Sequence, residues 1–240
     1  MMNDESVLFE MDGNRIEERY QIEEQLLDSV SRGDYREARR IYLLFREYKF
    51  APRTKDIFRN EQNLMIVLST MCRKILQYKN HIHPMYLDQA STRIAIQINE
   101  TGTARELEEL PKSILRRYCL LARSYTLKGY TPVVMQAINY ITFHFTEDIS
   151  LAHIAGKCNI SKQYLSSIFK KETGLSVTDY LHDIRIKRAL FLLNSTDYPM
   201  DIVAARCGYH NVNYFIRIFK RLRQQTPKQY SMKLGKKTLH

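Results

Sequence analysis

The chain has 240 residues, 44% hydrophobic and 26% charged, the proportions of a soluble globular protein with room for one or two cores. Eight Gly and six Pro are too few for the many turns of an all-β sandwich or barrel, so the composition points to helices. The net charge of +11 sits mostly in the second half: residues 131–240 hold 16 Lys and Arg against 7 Asp and Glu, residues 1–130 hold 21 against 19. A C-terminal domain that meets a polyanion would carry such an asymmetry, although a merely basic soluble domain would carry it too.

From the N-terminus, apolar residues recur at helical spacing. Ile16 to about Ser31 reads as a first helix, with Ile22, Leu26, Leu27 and Val30 on one stripe, broken by Gly33-Asp34. A second, Asp34 to Tyr48, carries Ala38, Ile41, Tyr42 and Phe45, and Pro52 interrupts the chain after it. A long third helix spans about Asp56 to Tyr78, with Leu64, Val67, Leu68, Met71 and Ile75. His81-Ile82-His83-Pro84 is a connector to a fourth, about Met85 to Asn99. Thr103-Ala104-Arg105-Glu106 is a capping box that opens a fifth helix to about Lys128, with Pro111 as a place for a kink. Gly129-Tyr130 reads as a seam between a helical domain, residues 1–130, and a second domain, residues 131–240. Thr131-Pro132 then starts a helix bearing Val134, Ile138, Ile141 and Phe145, with Thr131 as N-cap and Pro132 in the first helical position.

Beyond it the sequence repeats. Ile154-Ala155-Gly156-Lys157-Cys158-Asn159 through Tyr164-Leu165-Ser166-Ser167-Ile168-Phe169-Lys170-Lys171 resembles Val203-Ala204-Ala205-Arg206-Cys207-Gly208 through Tyr214-Phe215-Ile216-Arg217-Ile218-Phe219-Lys220-Arg221. Ser176-Val177 and Tyr180 likewise match Thr226-Pro227 and Tyr230. Each copy reads as helix, tight turn, helix. Ala155 and Ala204 permit a close helix crossing, Asn159 and Gly208 tolerate the left-handed turn, and Ser161 and Asn211 cap the helix that follows. In these second helices Leu165, Ile168 and Phe169, and Phe215, Ile218, Phe219 and Leu222, face inward. The outward faces then hold Lys162, Gln163, Ser166, Ser167 and Lys170 in one copy, and Asn213, Ile216, Arg217 and Lys220 in the other. Amides, hydroxyls and an Arg suit base edges, and lysines suit phosphate. A lone face of this kind is as readily a solvated surface. Two matching copies in a basic half-chain favour DNA. Between the copies, Val177 to about Asn194 is a connecting helix expected to pack on both and fix their spacing. Its Arg185, Lys187 and Arg188 either touch phosphate or pair and cap locally, with Arg188 expected in a structural role.

At these residues the chain resembles the AraC/XylS family of bacterial transcription regulators over about residues 131–231. In the second copy the family's order is kept by Val203-Ala204, Cys207-Gly208-Tyr209, Tyr214-Phe215, Phe219-Lys220, Thr226-Pro227 and Tyr230; in the first, by Leu151, Ala155, Ser161, Tyr164-Leu165, Phe169 to Gly174 and Tyr180. The resemblance implies two helix-turn-helix motifs in neighbouring major grooves of double-stranded DNA, acting at promoters through RNA polymerase. Two positions depart from it. Gln224 stands where the family has Gly, so the last recognition helix is expected to end less sharply, and Ser231 replaces an Arg, removing a phosphate contact. Residues 1–130 resemble the helical N-terminal region of some Gram-positive members around Arg59 to Leu64 and His83 to Asp88. That implies a regulatory or dimerising domain and names no ligand.

Other signals carry less. His81 and His83 lack a third ligand at a recognisable spacing and read as a loop detail. Glu106, Glu108 and Glu109 read as a solvated first turn favoured by the helix dipole. No catalytic arrangement or phosphate loop is found, so neither an enzyme nor a cofactor is expected. Cys72, Cys119, Cys158 and Cys207 form no CxxC pair and read as buried thiols of a reducing compartment. The acidic start, Met1 to Phe9, is unlike a signal peptide, and no apolar run reaches the roughly 20 residues of a membrane span. The expectation is an all-α cytoplasmic DNA-binding regulator with residues 1–130 mediating a homodimer and offering room for an unknown effector. The alternatives are a non-specific nucleic-acid-binding protein and an adaptor.

Overall fold

The computed structural model describes residues 13–48 and 54–233, and among them the only regular elements are helices. Pro52 and the Met1–Phe9 segment lie outside the described residues. The chain divides at Lys128/Gly129 into two compact units.

The N-terminal unit contains α1 (Gly13–Ser31), α2 (Tyr35–Glu47), α3 (Ile57–Lys79), α4 (Pro84–Glu100) and α5 (Ala104–Tyr125). The inward stripes read from the sequence meet in one core, where Leu26, Val30, Leu68, Leu76, Ile94, Ile114 and Tyr118 are almost wholly buried. Helix starts are set by side chains that accept orphan backbone N–H groups. Asp34 accepts from Glu37 N, Asp56 from Arg59 N, and Thr103 with Glu106 forms the reciprocal capping box. His83 belongs to this set: it is buried, and its Nδ1 accepts from Met85 N at 3.2 Å, capping α4. Helix α5 runs through Pro111, which is buried within it.

Three buried polar links tie the helices together. Asn80 exchanges hydrogen bonds with Ser31 (Ser31 Oγ to Oδ1 2.7 Å, Nδ2 to Ser31 O 2.9 Å) and its own carbonyl accepts from Leu127 N at 2.8 Å. Gln62 Nε2 donates to Ile98 O at 2.9 Å, and Ser69 and Tyr118 hydroxyls meet at 2.9 Å. Each satisfies a group whose burial without a partner costs about 1–3 kcal/mol.

The C-terminal unit contains α6 (Pro132–His144), α7 (Leu151–Lys157), α8 (Lys162–Thr173), α9 (Val177–Ser195), α10 (Met200–Arg206), α11 (Val212–Arg223) and α12 (Pro227–Lys233). Pro132 takes the first position of α6 as expected, but Thr131 makes no side-chain cap. Its N–H and hydroxyl instead both donate to Glu172 (2.9 and 3.2 Å), tying the start of α6 to the end of α8.

The sequence repeat is a structural repeat. Helices α7–α8 and α10–α11 are each joined by the same turn: Ile160 N donates to Ala155 O at 3.1 Å and Tyr209 N to Ala204 O at 3.0 Å. Asn159 (φ 54°) and Gly208 (φ 80°) take the left-handed positions. Ser161 then caps α8 and Asn211 caps α11, through Tyr164 N and Tyr214 N. Phe169 and Phe219 are fully buried, and each meets a tyrosine edge-on, Tyr180 at 5.3 Å and Tyr230 at 6.1 Å.

A second expectation is corrected at the end of α11. Gln224 ends α11 as sharply as Gly174 ends α8: it adopts the left-handed conformation (φ 57°), and its N–H donates to Lys220 O at 2.9 Å. Its side-chain amide donates to Arg221 O at 3.1 Å, the local hydrogen bond that lets a polar side chain occupy this region. Ser231 is buried in α12.

Candidate nucleic-acid interface

The outward residues of both repeats lie where helical geometry puts them. On α8, Lys162, Gln163, Ser166, Ser167 and Lys170 are exposed and line one shallow groove, together with Leu151 and Lys171. Lys171 was not singled out from the sequence; it adds a cation to the same groove. On α11, Asn213, Arg217 and Lys220 are exposed. Ile216 differs: it is half-buried and packs on the core of the second helix-turn-helix, so only part of it is offered outward. Among the described residues Lys162, Lys170, Lys171 and Lys220 are held in no salt bridge. Their charge is therefore available to an external anion. Arg217 is placed by an aromatic ring instead, its guanidinium 5.0 Å from the centroid of Tyr214.

Connecting helix α9 packs against both repeats. Ile186, Ala189, Leu192 and Leu193 enter the core of the second one. Of its three cations, Arg185 makes the backbone contacts, a role expected of Arg188. It is buried, and it donates from Nε to Phe145 O at 2.6 Å and from its terminal nitrogen to Glu147 O at 2.8 Å. Those carbonyls follow α6, on the side of the first helix-turn-helix. The same guanidinium lies 5.2 Å from the ring of Tyr209, in the turn of the second. A charge this buried survives because its donors are satisfied and its face lies on a ring. Lys187 pairs with Asp183 at 2.9 Å, and Arg188 lies over Phe191.

Gly208 closes the same seam. A Cβ there would come within 2.7 Å of Phe145 O and 2.8 Å of Thr146 Cα. The turn of the second repeat thus rests on backbone that follows α6.

A second polar cluster was missed by sequence reasoning. His182 is buried on α9, its Nδ1 3.1 Å from the hydroxyl of Tyr209 and its Nε2 3.2 Å from that of Tyr214. One turn back, Asp179 pairs with Arg221 of α11 at 3.1 Å. Asp179, His182 and Arg185 form one polar stripe facing the second repeat. Their three-residue spacing was visible; their partners, 24 to 42 residues away in the chain, were not. Burial first, then the Arg185 and Arg221 charges, hold the His182 pKa below its usual value. The four cysteines are buried and unpaired in disulfides, and burial raises Cys119 to about 11 and Cys207 to about 12, leaving both as inert thiols. Among the described residues no helix is long and apolar enough to cross a membrane.

Residues 154–233 match the model of a helix-turn-helix domain family. The xylose operon regulatory protein of Escherichia coli K12 is 31% identical over 120 residues, which cover 50% of this chain and 30% of that protein. Regulatory protein PocR of Salmonella typhimurium is 28% identical over 113 residues, 46% of this chain and 37% of that one. Among solved structures, the C-terminal domain of AraT, a response regulator from Geobacillus stearothermophilus, is 36% identical with a TM-score of 0.43, covering 44% of this chain and 88% of that one. The chain spans about a third of the length of these curated relatives.

Proposed function

We propose that the chain, whose residues 154–233 match a helix-turn-helix domain family, is a transcription regulator of the AraC/XylS type that reads double-stranded DNA with α8 and α11 in neighbouring major grooves. The observation that carries this is the pair of matching outward faces on two helices locked to one connecting helix. Gln163, Ser166, Ser167, Asn213 and Arg217 address base edges; Lys162, Lys170 and Lys220 address phosphate. Arg217 is assigned to a guanine, whose O6 and N7 its fork can bridge. Ile216 offers an apolar edge, suited to a thymine methyl. The chain's place is the cytoplasm, its further partner at promoters RNA polymerase, and it catalyses no reaction.

Residues 1–130 have a core of their own and little excess charge, so their job is separate from DNA attraction. We assign them dimerisation, the commonest means by which a regulator matches repeated half-sites, and room between helices for an effector.

Selecting DNA from a random pool with the full chain, then measuring binding to the winning site across salt concentrations, tests the reading. A defined site bound far more tightly than random sequence is expected. Binding that is steep in salt but indifferent to sequence would make this a non-specific nucleic-acid-binding protein, and no binding would make it an adaptor.

A further inference from the structure

The geometry points to His182 as a positioning residue that sets Arg217 for base readout through Tyr214. The inference rests on the assignment of α11 as a base-reading helix.

Tyr214 stands in the first turn of α11, yet its hydroxyl turns inward to His182 Nε2, while its ring lies beneath the Arg217 guanidinium. The hydroxyl contact fixes the ring's rotamer, and the ring's face in turn places the guanidinium. His182 is itself fixed. It stacks on Tyr209 (centroids 5.8 Å apart, planes 5° from parallel) and meets the Tyr209 hydroxyl with Nδ1. Tyr209 in turn lies under Arg185, which is anchored on the Phe145 and Glu147 carbonyls. A continuous path of contacts thus runs from the backbone beside the first repeat to the side chain that reads DNA in the second.

A neutral imidazole has one donor and one acceptor nitrogen, so one tyrosine hydroxyl donates to His182 and the other accepts from it. That pairing fills both ring nitrogens and leaves the Tyr214 hydroxyl engaged internally. An arginine held over a fixed ring gives up less rotamer freedom on binding than a free one, and preorganisation of this kind appears as affinity for the correct site. The first repeat lacks the cation: the residue three positions after Tyr164, the counterpart of Tyr214, is Ser167 where the second repeat has Arg217.

The test is a double-mutant cycle on the full chain with the selected site and with random DNA, using Tyr214→Phe, Arg217→Ala and both together. Tyr214→Phe keeps the ring and removes only the hydroxyl. It is expected to weaken the selected site by about three- to tenfold and random DNA by less than about twofold. In the Arg217→Ala background it should add nothing. His182→Phe should reproduce the Tyr214→Phe pattern, with circular dichroism melting to establish that it is folded, and Tyr164→Phe should leave the coupling to Arg217 unchanged. Additive losses in the cycle, or equal losses on selected and random DNA, overturn the proposal while leaving α11 a DNA-binding helix. Failure of the unaltered protein to prefer any sequence overturns the base-reading assignment itself, and this inference with it.

Discussion

Gly208 and Arg185 do at the residue scale what the connecting helix does at a larger one: they hold the two repeats in register. Gly208 combines a left-handed backbone with contact against Phe145 and Thr146 backbone, which cannot swing aside. Gly174 shares the left-handed conformation (φ 75°) but has open space around it. Gly174→Ala should therefore cost only the conformational penalty of about 1–2 kcal/mol. Gly208→Ala should cost about 3 kcal/mol or more, because overlap is added to the same penalty. Equal losses in denaturant melts would mean that the seam yields. The two buried histidines give a second residue-scale expectation. Burial lowers the pKa of His83, and burial with neighbouring cations lowers that of His182. Both are neutral when folded and take up protons more readily when unfolded. The stability they support is thus whole above the ordinary histidine pKa of about 6.5 and falls as pH drops through and below it. Unfolding free energy measured from pH 7.5 to 5 should decline, and His182→Gln should flatten part of the slope.

At the scale of elements, helix ends were the most legible feature. Capping depends on neighbouring residues, so Thr103-Glu106, Ser161 and Asn211 could be read from local sequence, and their hydrogen bonds form as that reading requires. Thr131 shows where local reading stops: its hydroxyl goes to Glu172, 41 residues on, because α8 ends beside it. The same limit hid the role of Arg185. Helical period places it on a face, but the carbonyls that satisfy it lie 38 and 40 residues earlier in the chain. Gln224 was misjudged for a different reason. A residue type was compared with the family's glycine, while the turn itself, set by the neighbouring helices, imposed the left-handed conformation. The strain should be recoverable: Gln224→Gly is expected to raise stability by about 1 kcal/mol. An unchanged or lower melting temperature would show that the Arg221 carbonyl contact offsets the strain.

Over the whole molecule, the chain forms two compact units, and most of the positive charge lies in the second. The N-terminal unit has its own buried core and its own satisfied polar links. Its isolated form, residues 1–130, should sediment as a dimer at micromolar concentration if it supplies the two-fold contact. A monomeric fragment together with a monomeric full chain would remove dimerisation and leave effector or polymerase contact. In the other unit, the proposed reading helices α8 and α11 are held at one separation by α9, Arg185 and Gly208. Such a pair should engage two short elements about 34 Å, or about 10 bp, apart. The most direct test is to insert about half a helical turn of DNA between the two elements of the selected site and measure affinity against the unaltered site. The insertion is expected to rotate one element away and bring binding down to the level of random DNA. Affinity that survives the insertion would contradict this, because only one of the two helices would then be reading.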